Sequence, residues 1–167
     1  MYWTNQEFKI KKQGGTWVLD YEHDGKQCYA LYTGNEEPDV REIVRNVFNG
    51  DWDNVPDSIV SELRKRANDN LYGEVIKVFM ITAAGAEGIN LKNTRYVHIM
   101  EPYWHNVRLE QVIGRARRIK SHESLPDHLR TVQVFLYMSV MSEEQKKDEK
   151  FKEIQVNDLS KILDNTP

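Results

Sequence analysis

The spacing of apolar positions changes several times along the chain, and the changes mark its elements. Short apolar and β-branched runs at 7–12, 16–21 and 28–33 are separated by Gly14-Gly15 and Asp24-Gly25. Runs of that length between glycine turns predict short strands arranged as an N-terminal β-meander. At Val40, Ile43, Val44, Val47 and Phe48 the period lengthens to three and four residues, with Pro38 near the start and Gly50 just beyond the end. That is the pattern of an amphipathic helix with a proline entry and a glycine stop. Residues 51–74 contain Pro56, Gly73 and only a brief helical pattern at Ile59, Val60 and Leu63, so a surface insertion is expected there. Val75, Ile76, Val78, Phe79 and Met80 read as a buried strand, and 95–100 and 131–138 as further strands, the last alternating Val132, Val134, Leu136 and Met138. Alternating strand and helix predict an α/β fold with a mostly parallel sheet flanked by helices. Past Ser142 the charges of Lys146, Lys147, Glu149 and Lys150 crowd together, as in a solvated helix or tail. The expected organisation is 1–27 as meander or insertion, 28–142 as the main lobe and 143–167 as a charged tail.

One predicted helix differs from the rest. Leu109, Val112, Ile113 and Ala116 form its apolar stripe, while Arg108, Gln111, Arg115 and Arg118 form a second stripe at three- and four-residue steps. The whole chain carries a formal charge of −3 and a pI near 6.0, so attraction to a polyanion has to come from a local cluster. Between Arg108 and Lys120 there are five basic residues and one acid. Upstream, the strand at 75–80 runs into Ile81-Thr82-Ala83-Ala84-Gly85-Ala86-Glu87-Gly88-Ile89-Asn90-Leu91, whose small residues let backbone N–H groups come close to a ligand. A solvated basic face is the ordinary reading of the arginine stripe alone, and turn or packing glycines that of the loop alone. Their conjunction points to phosphate chemistry.

Together the two stretches resemble motifs V and VI of the second RecA-like lobe of superfamily-two helicases and translocases, motif VI being the pattern Q-x-x-G-R-x-x-R at Gln111, Gly114, Arg115 and Arg118. Residues 29–34 with the helix around Val40 to Phe48 look like the strand, turn and helix that precede motif V, so the resemblance covers about 28–140. Glu101-Pro102-Tyr103-Trp104 before motif VI, and Ser121-His122 with Leu125-Pro126 after it, look like the helicases of nucleocytoplasmic large DNA viruses. The resemblance implies that Arg115 and Arg118 are arginine fingers for ATP hydrolysis. By the same carry-over Gln111 and Gly114 face nucleotide or the lobe interface, and Gly88 and Asn90 lie near the ribose. Many relatives have aspartate where this chain has Asn90, which keeps the hydrogen bonding and loses the charge. Thr82, Ala83 and Gly85 are implied as contacts for a DNA or RNA phosphate, since a hydroxyl and N–H groups suit a backbone oxygen. Tyr103, Trp104 and His105 have either a base-stacking role or a packing role under a loop.

The sequence lacks a G-x-x-x-x-G-K-[ST] phosphate loop and an acidic D-E-x-x strand end. ATP would therefore be shared with an N-terminal RecA-like lobe bearing the Walker motifs, with Mg²⁺ held by that partner lobe, and the chain by itself is expected not to hydrolyse ATP. Met1 to Gln27 shows no equivalent of the motif IV strand, and a chain truncated at that first strand is favoured over replacement by the meander. Cys28 is the single cysteine, which removes intrachain disulfides and cysteine-rich zinc sites and fits a reduced, intracellular setting, host cytoplasm or virion if viral. His98, His105, His122 and His128 have no metal-ligand spacing. No apolar stretch approaches the roughly 20 residues that span a bilayer, so a soluble chain without membrane partners is expected. Two other classes of function compete: a non-catalytic module gripping nucleic-acid phosphates, and an interaction domain pairing its arginines with an acidic protein surface.

Overall fold

The computed structural model describes residues 6–20, 27–82, 88–100, 106–140, 142–144 and 147. Of the predicted amino-terminal strands, the first two, β1 (Ile10–Gln13) and β2 (Thr16–Leu19), pair antiparallel through the Gly14-Gly15 turn. The third, β3 (Cys28–Tyr32), instead pairs in parallel with β4 (Ile76–Ile81), with Ala30 opposite Phe79. Successive peptide groups of a strand point to opposite edges. Thus Cys28 N–H donates to Val75 on one side, while Tyr29 exchanges bonds with Gln6 and Phe8 on the other, at 2.9 and 2.7 Å. A single parallel bridge at Glu7 and Tyr29 therefore occupies the edge where the sequence offered no first strand.

Helix α1 (Pro38–Asn49) has its predicted bounds and buries Ile43, Val44 and Val47. Its stop is conformational: Gly50 has φ +75°, and its N–H returns to the carbonyls of Asn46 and Val47, a left-handed cap that side chains with a Cβ adopt only under strain. The segment 51–74, expected on the surface, is part of the principal core. A 3₁₀ turn at Trp52–Asn54 and helix α2 (Asp57–Arg64) bring Trp52, Val55, Ile59 and Leu63 against Cys28, Ala30, Val47, Val75 and Ile76. Its apolar positions are too few to show a long amphipathic stripe, yet those few are almost wholly enclosed. Ser58 Oγ also donates to Trp17 O at 2.7 Å, tying α2 to the hairpin.

A second, smaller cluster joins Tyr32, Ile89 and Leu91 to Phe48, Phe79 and Ile81. The Phe79 ring lies 4.7 Å from that of Phe48 and 5.5 Å from that of Tyr32, so it bridges α1 and the two strands. Strand β5 (Tyr96–Ile99) pairs in parallel with β6 (Gln133–Leu136), and α3 (Asn106–Ala116) lies between them in sequence. The architecture is the expected α/β one, with parallel strand pairs flanked by helices, as in a RecA-like lobe. Among the described residues no helix is long and apolar enough to cross a membrane.

Candidate nucleotide and nucleic-acid interface

Strand β4 ends one residue before the predicted phosphate-contact residue Thr82, which is exposed and whose N–H donates to Tyr32 O at 3.3 Å. Ala83 and Gly85 lie outside the described residues, as do Tyr103, Trp104 and His105. The chain is described again from Gly88, where φ is +74° and the space a Cβ would enter is open, so the requirement for glycine is one of backbone conformation. Ile89 and Leu91 then plunge into the smaller core at 1% and 6% exposure. This alternation fixes Asn90 between two apolar anchors.

Asn90 is held from below. Its carbonyl accepts from Asn49 Nδ2 at 3.0 Å, and Asn49 Oδ1 in turn accepts from Lys92 N–H at 2.8 Å. Lys92 Nζ reaches Asp51 at 2.6 Å. The Asn90 side-chain oxygen is buried without a hydrogen-bond partner among the described residues. A buried carbonyl left without a donor carries a desolvation cost of about 1–3 kcal/mol, which a ligand hydroxyl would relieve. Asn90 thus has a side-chain acceptor that none of the described residues uses.

Helix α3 presents Gln111 to solvent, with Gly114 and Arg115 half-buried and Ala116 at 2% exposure. Apart from its own stretch of helix, no atom of the described residues lies within 4 Å of the position a Gly114 Cβ would take, so among these residues the glycine leaves room on the helix surface. The helix ends at Ala116, two residues short of the end of the predicted arginine stripe, and Arg117 and Arg118 follow it as exposed residues. The Arg108 side chain lies outside the described residues. Arg115, Arg117 and Arg118 have no side-chain hydrogen bond or ion pair among the described residues, so their guanidiniums are available to an anion. Beside them an open depression of about 640 Å³ is lined by Arg117, Arg118, Lys120 and Arg130, with Glu123 as its acid. Arg130 serves the protein there, bonding the carbonyls of Leu125 and Glu123 at 2.8 and 2.9 Å and Asp127 at 2.7 Å.

The loop and the helix meet. Leu91 N–H donates to Arg115 O at 3.2 Å and Asn93 N–H to Ser121 O at 2.8 Å, so the residues after Gly88 are bonded to the last turn of α3 and to the turn beyond it. Asn49 contributes to this site without having been singled out in the sequence. A lone asparagine one residue before a helix-stopping glycine reads as a capping residue, and its partners are 41 and 43 residues away. Asn70 is similar: it is 4% exposed, donates to Phe48 O and Ile76 O, and accepts from the N–H groups of Val75 and Ile76.

The model of the helicase conserved C-terminal domain matches residues 21–120 of the chain. The chain belongs to that family. Its relatives are proteins of nucleocytoplasmic large DNA viruses. A termination factor NPH-I homolog of African swine fever virus (isolate Tick/Malawi/Lil 20-1/1983) is 34% identical over 144 residues, covering 83% of this chain and 20% of the relative. A provisionally named ATP-dependent RNA helicase of Acanthamoeba polyphaga mimivirus is 32% identical over 121 residues, 72% of this chain and 18% of the relative. Nucleoside triphosphatase I of Melanoplus sanguinipes entomopoxvirus is 44% identical over 66 residues, 40% of this chain and 10% of the relative. The chain thus spans about a fifth of the length of the first two. No solved structure matches it.

Proposed function

We propose that this helicase C-terminal domain is the second lobe of an ATP-dependent helicase or translocase acting on DNA or RNA. In this reading it supplies motif V and the two arginine fingers of motif VI to a nucleotide site completed by an N-terminal RecA-like lobe with Walker motifs. The carrying observation is that Arg115 and Arg118 bear side chains unpaired among the described residues, on a segment bonded to the loop after motif V through Leu91 and Asn93. ATP, when bound between the lobes, supplies the γ-phosphoryl group whose charge grows during transfer, and Mg²⁺ belongs to the partner lobe.

Arg115 and Arg118 provide preplaced positive charge, which needs no reorganisation at the moment of reaction and is worth about 10³–10⁵ in rate for a finger of this kind. Gln111 and Gly114 form the nucleotide-facing side of α3. Asn90, with its unpartnered side-chain oxygen, accepts from a ribose hydroxyl beside Gly88. Thr82, with Ala83 and Gly85, meets a nucleic-acid phosphate. Because the phosphate loop is absent from this sequence, the chain alone is inactive, and lobe closure brings the fingers to the phosphate. If the chain is viral, the expected place of action is host cytoplasm or virion.

The deciding experiment is nucleic-acid-stimulated ATP hydrolysis by the chain alone and by a protein with the N-terminal lobe restored, each with and without Arg115→Ala. Turnover only on restoration, lost with the substitution, is the expected result. A well-folded restored protein without turnover would overturn the reading. The basic depression beside Arg117 favours one second reading, a non-catalytic phosphate-binding module. That module would bind nucleic acid with a steep salt dependence and have no associated turnover.

A further inference from the structure

Beyond α3, Ser121 is 5% exposed and His122 is half-buried, and together they join two stretches that the sequence keeps about thirty residues apart. His122 Nε2 lies 2.8 Å from Thr94 O. A carbonyl only accepts, so this nitrogen donates. On the other side of the ring, Nδ1 lies 2.8 Å from Ser121 Oγ. Ser121 Oγ also lies 2.7 Å from Arg118 O and 3.2 Å from Ala116 O, and Arg118 O already accepts from Ser121 N–H at 3.1 Å. The backbone adds Asn93 N–H to Ser121 O at 2.8 Å. The hydroxyl has one proton to give; donated to Nδ1, it leaves a path from Thr94 through the imidazole to Ser121 that reaches Arg118 O through the Ser121 N–H.

We propose that Ser121 and His122 are positioning residues for the arginine fingers, latching the backbone of Arg118 to the loop that follows motif V. The inference rests on the helicase reading above and adds to it the residues that set the finger's geometry. The Arg118 side chain has no partner among the described residues, so its direction depends on where its backbone is held. Among the described residues around it, only Ala116, Ser121 and Leu125 are buried, and the first two belong to the latch. Breaking the link from Thr94 frees the segment to drift from the loop, and a displacement of about 1 Å can cost on the order of 10²-fold in rate.

The test uses the complete two-lobe protein with His122→Ala and His122→Gln, glutamine keeping an N–H near the Nε2 position. Two quantities are read. One is the ratio of ATP turnover with and without single-stranded DNA or RNA oligonucleotide, which does not depend on the folded fraction. The other is amide hydrogen exchange at Leu91, Asn93 and residues 115–121. The latch predicts that His122→Ala lowers the stimulation ratio and speeds exchange at Leu91 and Asn93, while His122→Gln keeps most of both. An unchanged ratio overturns the positioning role, even if exchange quickens, and a fallen ratio with unchanged exchange overturns the latch. If His122→Ala does not fold, Ser121→Ala cuts the same path between the imidazole and residue 121 and is read in the same way. A wild-type protein that shows no stimulated turnover would sink the helicase reading instead, with the exchange comparison still deciding whether the contact exists.

Discussion

The half of the molecule built on β3, β4, α1 and α2 is held by apolar burial, whereas the half built on β5, β6 and α3 is held by strand pairing and polar bonds. In the first, Cys28, Ala30, Val47, Ile59, Leu63, Val75 and Ile76 have no exposed surface. In the second, Phe135, Leu136 and Tyr137 are 40%, 52% and 42% exposed, and every residue of β6 is open to solvent. Sparse burial and exposed backbone bonds place a region at the low end of local opening free energy. The candidate arginines sit in that second half, on a segment whose connections to the 88–93 loop are hydrogen bonds. If the proposed function holds, nucleotide chemistry would be anchored to the packed half through directional, breakable contacts.

The largest effect that tests this division is on turnover. Arg118→Ala in the complete enzyme is expected to lower the rate of ATP hydrolysis by about 10³-fold or more, with nucleic-acid affinity nearly intact. Because the side chain is exposed and has no partner among the described residues, the unfolding midpoint should stay where it is. Equal losses of affinity and turnover would count against the finger role, and a lowered midpoint would show the arginine to be part of the framework after all.

Stability should show the reverse pattern. Leu63→Ala removes a side chain with no exposed surface from the principal core, and a loss of about 2–5 kcal/mol in equilibrium unfolding is expected. Leu136→Ala, at a position 52% exposed on β6, should stay within about 0.5 kcal/mol. Comparable losses at the two positions would mean that the β5 and β6 pair is covered in solution by something that shields it, and the contrast between the halves would collapse.

These two halves were not equally legible in the sequence. Helix α1 was readable to its bounds, because Val40, Ile43, Val44, Val47 and Phe48 repeat at helical spacing between a proline and a glycine. Cys28 was readable as a buried strand residue for the same local reason. The role of 51–74 was not: Trp52, Val55, Ile59 and Leu63 fall at three- and four-residue steps, but Pro56 interrupts them and the helix that follows has only 8 residues, too short a stripe to mark a core element. Nor was the choice of partner for β3: a hairpin neighbour and a strand 48 residues later use the same alternation, and only tertiary packing against α1 selects the latter. At the candidate site the residue types of motif VI were plain, whereas Asn49, Ser121 and His122 act through partners far away in sequence. Polar residues that hold one loop against another have no periodicity, and a single sequence shows them only as ordinary surface chemistry.

The smallest expected effect lies in the rigid half, at the turn between β3 and α1. Burial opposes ionisation of Glu36, but the hydroxyl of Thr33, its own backbone N–H and that of Thr33 all stabilise the carboxylate, with Arg41 nearby, and the balance holds it below its ordinary value near 4.5. Both oxygens are engaged, Oε1 accepting from Thr33 Oγ1 and Oε2 from Thr33 N–H, each at 2.8 Å. A carboxyl that is more acidic in the folded chain than in the unfolded one contributes stability above the unfolded value, because there both states are ionised and only the folded one gains the bonds. As pH falls below about 4.5 the unfolded chain takes up the proton first, and the contribution drains away until the folded carboxyl is also protonated. Unfolding midpoints followed from neutral pH down through this range should therefore fall more steeply for the wild-type chain than for Glu36→Gln, which has no proton to gain. Parallel curves would mean that this turn adds nothing to the acid sensitivity of the packed half, leaving apolar burial alone to account for its stability.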